Sequence, residues 1–113
     1  MTNTISLLAQ AKPSLQTLEA KINSVTPVEL QRKSQQVQDD FVRCKAKCNF
    51  LKHELENREL TEILDKLQGN EVGFRAGIQE LNNIIQKLNG GIAILDIVDQ
   101  TVAVLFRISG ILA

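Results

Sequence analysis

Cys44, Cys48 and His53 carry the residue types that bind zinc or activate a thiol, and they are the chain's whole stock of cysteine and histidine. Chemistry there would need the three side chains to converge. The cysteines are four apart in a helical pattern, which stacks one above the other, an arrangement that rarely meets disulfide geometry. His53 follows Cys48 by five residues and so lies well round the same helix. A single Cys-x-x-x-Cys supplies half of a tetrahedral zinc set, and a straight helix offers no way to bring the histidine to it. The two thiols read as buried, and they fit a reducing compartment.

The other chemical candidates are weaker. Glu54, Glu56, Glu59, Glu62 and Asp65 form an acidic run without the Glu-x-x-His pairs that a di-metal helical bundle requires, so it reads as a solvated face. Gly69-Asn70 and Asn89-Gly90-Gly91 are not phosphate loops, since no strand pattern precedes them and no Lys-Ser or Lys-Thr follows. No nucleophile is paired with a plausible base. The residues imply no catalytic group, no metal and no cofactor, and a non-enzymatic protein is expected.

Composition narrows the partners. Thirteen basic residues balance thirteen acidic ones in 113, so no net field draws the whole chain to nucleic acid or an anionic membrane. Phe41, Phe50, Phe74 and Phe106 are the only aromatics, which removes the usual stacking platform for single strands and argues against nucleic acid. Arg43, Lys45, Lys47 and Lys52 make one basic cluster, whose stems can cover apolar surface and whose heads can select an acidic helix. MTNTISLLAQAK has no basic region ahead of its short apolar stretch, so it does not read as a secretory signal and a cytoplasmic location is the default expectation.

The elements that would position these residues are helices throughout. Leu8, Ala11, Leu15, Leu18, Ile22 and Val25 recur at gaps of three and four, with Pro13 expected to kink the run or start its firm part. Thr26-Pro27-Val28-Glu29 is a capping box with proline at the first helical position, so a new helix begins there. Leu30, Ser34, Val37, Phe41, Cys44, Cys48, Leu51 and Leu55 then form a heptad seam. The pattern slips after Leu55, read as a shift of the buried face along one helix that continues to Leu67 and reaches roughly 60 Å. Gly69 or Asn70 stops it in the left-handed conformation. A third helix runs on Phe74, Ile78, Leu81, Ile85 and Leu88, where Gly73 and Gly77 either weaken the first turns or admit a close neighbour. Gly90 and Gly91 break the chain before a fourth.

The expected fold is all-α, an elongated antiparallel bundle of about four helices with one long central helix, in a single domain over 1–113 with helices near 3–24, 27–67, 71–89 and 92–113. Folding back at Gly69 lays the third helix on one half of the long one and the fourth on the other, giving a three-helix bundle that narrows to a two-helix hairpin. That register places Arg43 and Lys45 near Asp96, and Arg32 or Lys33 near Glu19. The thin end favours a dimer or a partner.

The final helix is apolar around most of its circumference, leaving Asp96, Gln100, Ala103 and Arg107 on one narrow line with Asp99 beside it. Such a helix is central to a protein core or touches lipid. Asp96, Asp99 and Arg107 argue against constitutive insertion. The leading expectation is a helical module for self-association or for binding another helical protein, through Phe41, Leu51, Leu55, Lys45 and Lys52 on the long helix and Ile94, Val98, Leu105, Ile108 and Leu112 on the last. The alternative is a membrane-active bundle, inducibly binding lipid or forming pores, that releases this helix at the Gly90-Gly91 hinge.

Overall fold

The computed structural model describes residues 2–112, with side chains from Ile5 to Leu112, and every regular element among them is helical. The helices are α1 (Thr2–Asn23), α2 (Pro27–Gln31), α3 (Gln35–Asn57), α4 (Leu60–Leu67), α5 (Glu71–Asn89) and α6 (Val98–Leu112), with a 3₁₀ turn at Ile94–Asp96. Residue 113, expected at the end of the last helix, lies outside the described residues.

Pro13 does not interrupt α1. The hydrogen bond it cannot make belongs to the turn of Ala9, and both residues lie on the exposed side, where a backbone carbonyl need not find a partner within the protein. On the other side Leu8, Ala11, Leu15, Leu18 and Ile22 are buried as their spacing required.

The expected helix over 27–67 is three helices. The Thr26 capping box forms as read, its hydroxyl accepting from the Glu29 amide at 3.2 Å. Eight residues later Ser34 acts as a second cap, its Oγ accepting from the Val37 amide at 3.3 Å with extended backbone. A serine hydroxyl satisfies an amide locally and lets the chain leave the helix there. The second break falls where the heptads fail, with Arg58 extended (φ −85°, ψ 146°). The face does not drift along one helix; the chain turns, and α4 restarts with Ile63 and Leu67 aimed inward.

The break between α5 and α6 is also larger than one hinge. Gly91 takes φ +105° and the 3₁₀ turn follows, so four of the five residues from Ile94 to Val98 are buried. Gly69 (φ +82°) takes the left-handed conformation at the α4–α5 turn, whereas Asn70 does not.

These breaks replace the tapering rod with a bundle of 45 × 25 × 20 Å whose principal helices are α1, α3, α5 and α6. α1 packs on α3 and α5, and α6 packs on the same two, so α1 and α6 occupy opposite corners. Two antiparallel hairpins make it. Leu15 meets Cys48 and Lys12 lies by Leu55 between α1 and α3, while Gly77 meets Ile108 and Gly73 meets Ile111 between α5 and α6. Across the hairpins α1 runs parallel to α5, with Ser14 donating to Asn82, and α3 parallel to α6, with Lys47 over Phe106. The short α4 adds cover to α6.

The ion pairs follow this register rather than the expected one. Lys33 reaches Asp96 at 3.5 Å and Lys52 reaches Glu19 at 3.0 Å. The break at Ser34 and the parallel setting of α6 moved both pairings away from those a continuous helix would give.

Candidate interaction surface

The heptad seam is used up inside the chain. Phe41, Leu51, Leu55, Ile94, Val98, Leu105, Ile108 and Leu112 all lie in one contiguous core, the seam line of α3 being buried beneath α1 and α6. Each such side chain withdrawn from water stabilises the fold by about 1.5–3 kcal/mol. Of the ten residues expected to mediate interaction, only Lys45 and Lys52 reach the surface, and Lys52 holds Glu19 on α1. That hydrogen bond raises the Lys52 pKa above its ordinary value.

Cys44 and Cys48 are buried free thiols, and Cys48 donates to the Leu15 carbonyl at 3.7 Å. Desolvation pushes them up to about 12 and about 11, with the neighbouring Cys48 adding to the first and Glu19 to the second. A thiol so far above neutral pH supplies almost no thiolate, the form that attacks or ligates. His53 is exposed and its Nδ1 faces Asn57 Nδ2 at 2.9 Å. No group of three His, Cys, Asp or Glu that could hold a metal occurs among the described residues. The acidic run is divided by the second break: Glu54 pairs with Arg58, and Glu56, Glu59, Glu62 and Asp65 are exposed.

The basic cluster is dispersed over three surroundings. Arg43 lies 3.9 Å from the buried Asp40, Lys52 joins α1, and Lys47 reaches across to α6. Its ammonium sits 4.7 Å from the centre of the Phe106 ring and 5.6 Å from that of Phe50, within cation–π range of both.

Phe106 is the surface feature the sequence reading passed over. It is 46% exposed, while Phe50 beside it is half-buried and Phe41 and Phe74 are in the core. Its neighbours on the outer line of α6, Ala103 and Gly110, are small and exposed, and Lys47 lies over the ring. The signal was present: Phe106 lies three residues after Ala103 and four before Gly110, off the apolar stripe and beside the charged line. Glu80, Lys87, Gln100 and Arg107 edge a groove of about 350 Å³ along the other flank of α6, and Arg107 pairs with Glu80.

A second, more apolar groove of about 480 Å³ lies between α1, the end of α3 and α4, lined by Ile5, Leu8, Leu55, Leu60 and Ile63 with Lys12 and Arg58 at its edge.

α6 itself is covered on three sides by α3, α4 and α5. Its buried Thr101 and Ser109 hydroxyls donate to the Ile97 and Leu105 carbonyls of their own helix, so neither needs water or lipid headgroups. No described helix is long and apolar enough to cross a membrane.

Comparison with protein-family models, with curated proteins and with solved structures finds no match to this chain.

Proposed function

We propose that this protein is a non-enzymatic helical interaction module, which acts by self-association or by binding another helical protein through the face shared by α3 and α6. One observation carries the reading. Phe106, Phe50 and the Lys47 that bridges them form an amphipathic aromatic surface on rigid helices, and aromatic residues with a cationic neighbour are the side chains that interface cores favour. The ring is held by packed helices, so little entropy is lost when a partner covers it.

The membrane-active alternative has less support, because the apolar circumference that motivated it is occupied by α3, α4 and α5. Release of α6 would expose Val98, Leu105, Ile108 and Leu112 at once, a cost of several kcal/mol before any lipid contact.

The test compares complexes recovered with the full chain carrying Phe106→Asp and with Val72→Asp, the latter altering a residue 81% exposed at the start of α5. Both variants should remain folded, as circular dichroism reads, although Phe106→Asp gives up the contact with Lys47. A defined complex, with itself or with a partner, should be lost with Phe106→Asp and kept with Val72→Asp. Equal behaviour of the two variants would remove the basis for this surface.

A further inference from the structure

We infer that the outer line of α6 is a two-fold interface between two copies of this chain, in which each α6 packs antiparallel on its mate about Ala103. This rests on the interaction reading above and names its partner.

Position comes first. α6 is a corner helix, and Asp99, Ala103, Phe106, Arg107 and Gly110 are exposed along the side that α3 and α5 leave uncovered. Ala103 and Gly110 are seven residues apart within α6, the period that keeps one helix face against another. Ala103 and Gly110 are small, and a Cβ built on Gly110 would meet nothing within 4 Å. Small residues at that spacing let two helix axes come to the short end of the usual range, about 8 Å.

Charge then selects both the occupant and the direction. Asp99 stands four residues before Ala103 and Arg107 four after. In an antiparallel pair centred on Ala103, each Asp99 shares a layer with the partner's Arg107, and the two-fold axis makes this pairing twice. A parallel pair would set Asp99 against Asp99 and Arg107 against Arg107, so the same line repels in one direction and attracts in the other. A line that is its own complement under a two-fold rotation is what an isologous dimer requires. Arg107 already touches Glu80, but both groups are about half exposed, at 56% and 44%, so the guanidinium has open donors for a second carboxylate.

Phe106 completes the face. It lies on the α3 side of the line, three residues from the axis, so the two rings of a dimer flank that axis with Lys47 of each copy over its own ring. The line from Asp99 to Gly110 is about 17 Å long, so with its α3 and α5 flanks the interface lies at the small end of the specific range, on the order of 1,000 Å² in total. The dimer is therefore concentration-dependent.

The full chain is followed by light scattering and sedimentation from micromolar to millimolar concentration, together with cysteine cross-linking. Ala103→Cys should form a disulfide-linked dimer on mild oxidation, whereas Asp99→Cys, offset from its own copy by two turns or more, should not; native Cys44 and Cys48 are buried and stay silent. Asp99→Arg and Arg107→Asp should each weaken the homodimer by about tenfold or more, and mixing the two should restore a heterodimer. A monomer throughout the range, equal cross-linking at both positions, or no recovery on mixing would each overturn the inference. If such a result comes with a partner complex still lost on Phe106→Asp, the second copy is wrong and the surface stands. If Phe106→Asp alters no association at all, both fall.

Discussion

Gly77→Ala should destabilise this protein although alanine is the better helix former. Gly77 is in the second turn of α5, and a Cβ placed on it would lie 2.6 Å from Ile108 Cγ1 and 3.3 Å from its Cδ1. Ile108 is 2% exposed and packed in the core, so neither it nor α6 can withdraw without loosening other contacts. Alanine gains about 0.5–1 kcal/mol over glycine in a helix interior, and overpacking a close-packed core costs about 1–3 kcal/mol, which leaves a net loss of about 1 kcal/mol. Gly110 in α6 is the control, because nothing lies within 4 Å of its would-be Cβ, and Gly110→Ala should gain about 0.5–1 kcal/mol. The two variants should therefore differ by about 2 kcal/mol, or roughly 8 °C in melting temperature at this size. Urea unfolding followed by circular dichroism, at low micromolar concentration so that assembly adds nothing, reads both. In an Ile108→Ala background the Gly77→Ala loss should vanish or reverse, since the colliding atoms are gone. Gly77→Ala as stable as Gly110→Ala, or equally harmful with and without Ile108, would refute the claim that glycine is there to admit α6.

Other outcomes follow from the same packing. Leu51→Asp should unfold the chain, not dissociate a folded oligomer, and Leu51→Ala should cost about 2–5 kcal/mol, because the side chain is fully buried between helices of one molecule; circular dichroism separates unfolding from dissociation. Cys44 and Cys48 should resist a thiol reagent at pH 8 until urea is added. Their folded pKa values, about 12 and about 11, lie above the ordinary 9.0, so the stability tied to the neutral thiols is complete below about pH 9 and is lost as pH rises through 11 to 12. Cys44→Ala should flatten that alkaline fall in a urea titration series. Glu19→Gln should leave the melting temperature nearly unchanged, since the Glu19–Lys52 pair lies at the solvent-exposed edge of α1 and α3; a clear loss would mean that the pair fixes the α1–α3 register.

Local chemistry was legible in the sequence. The buried positions of α1, the seam of α3 and the stripes of α5 and α6 are those their spacing marked, and Asp96, Gln100, Ala103 and Arg107, which the spacing set apart from the apolar circumference, are exposed. Caps were legible as well, since Thr26 and Glu29 satisfy each other within four residues. All of these depend on contacts along one stretch of chain.

What tertiary structure alone decided was where helices stop and which faces meet. Ser34 looked like a polar member of a seam because its spacing fitted, and it became a cap because its hydroxyl took the Val37 amide while α3 turned onto α1 and α6. The slip after Leu55 became a break because turning α4 buries Ile63 and Leu67 better than a drifting face would. Each such choice turns on the small difference between a local hydrogen bond and one more helical turn, and burial of distant side chains tips it. With two breaks instead of one rod, the chain closed into a bundle, the seam residues were withdrawn from any partner, and Phe106 was left outside. Periodicity determines that a side chain lies on a given stripe of its helix; only the packing of every other helix determines which stripe remains in water.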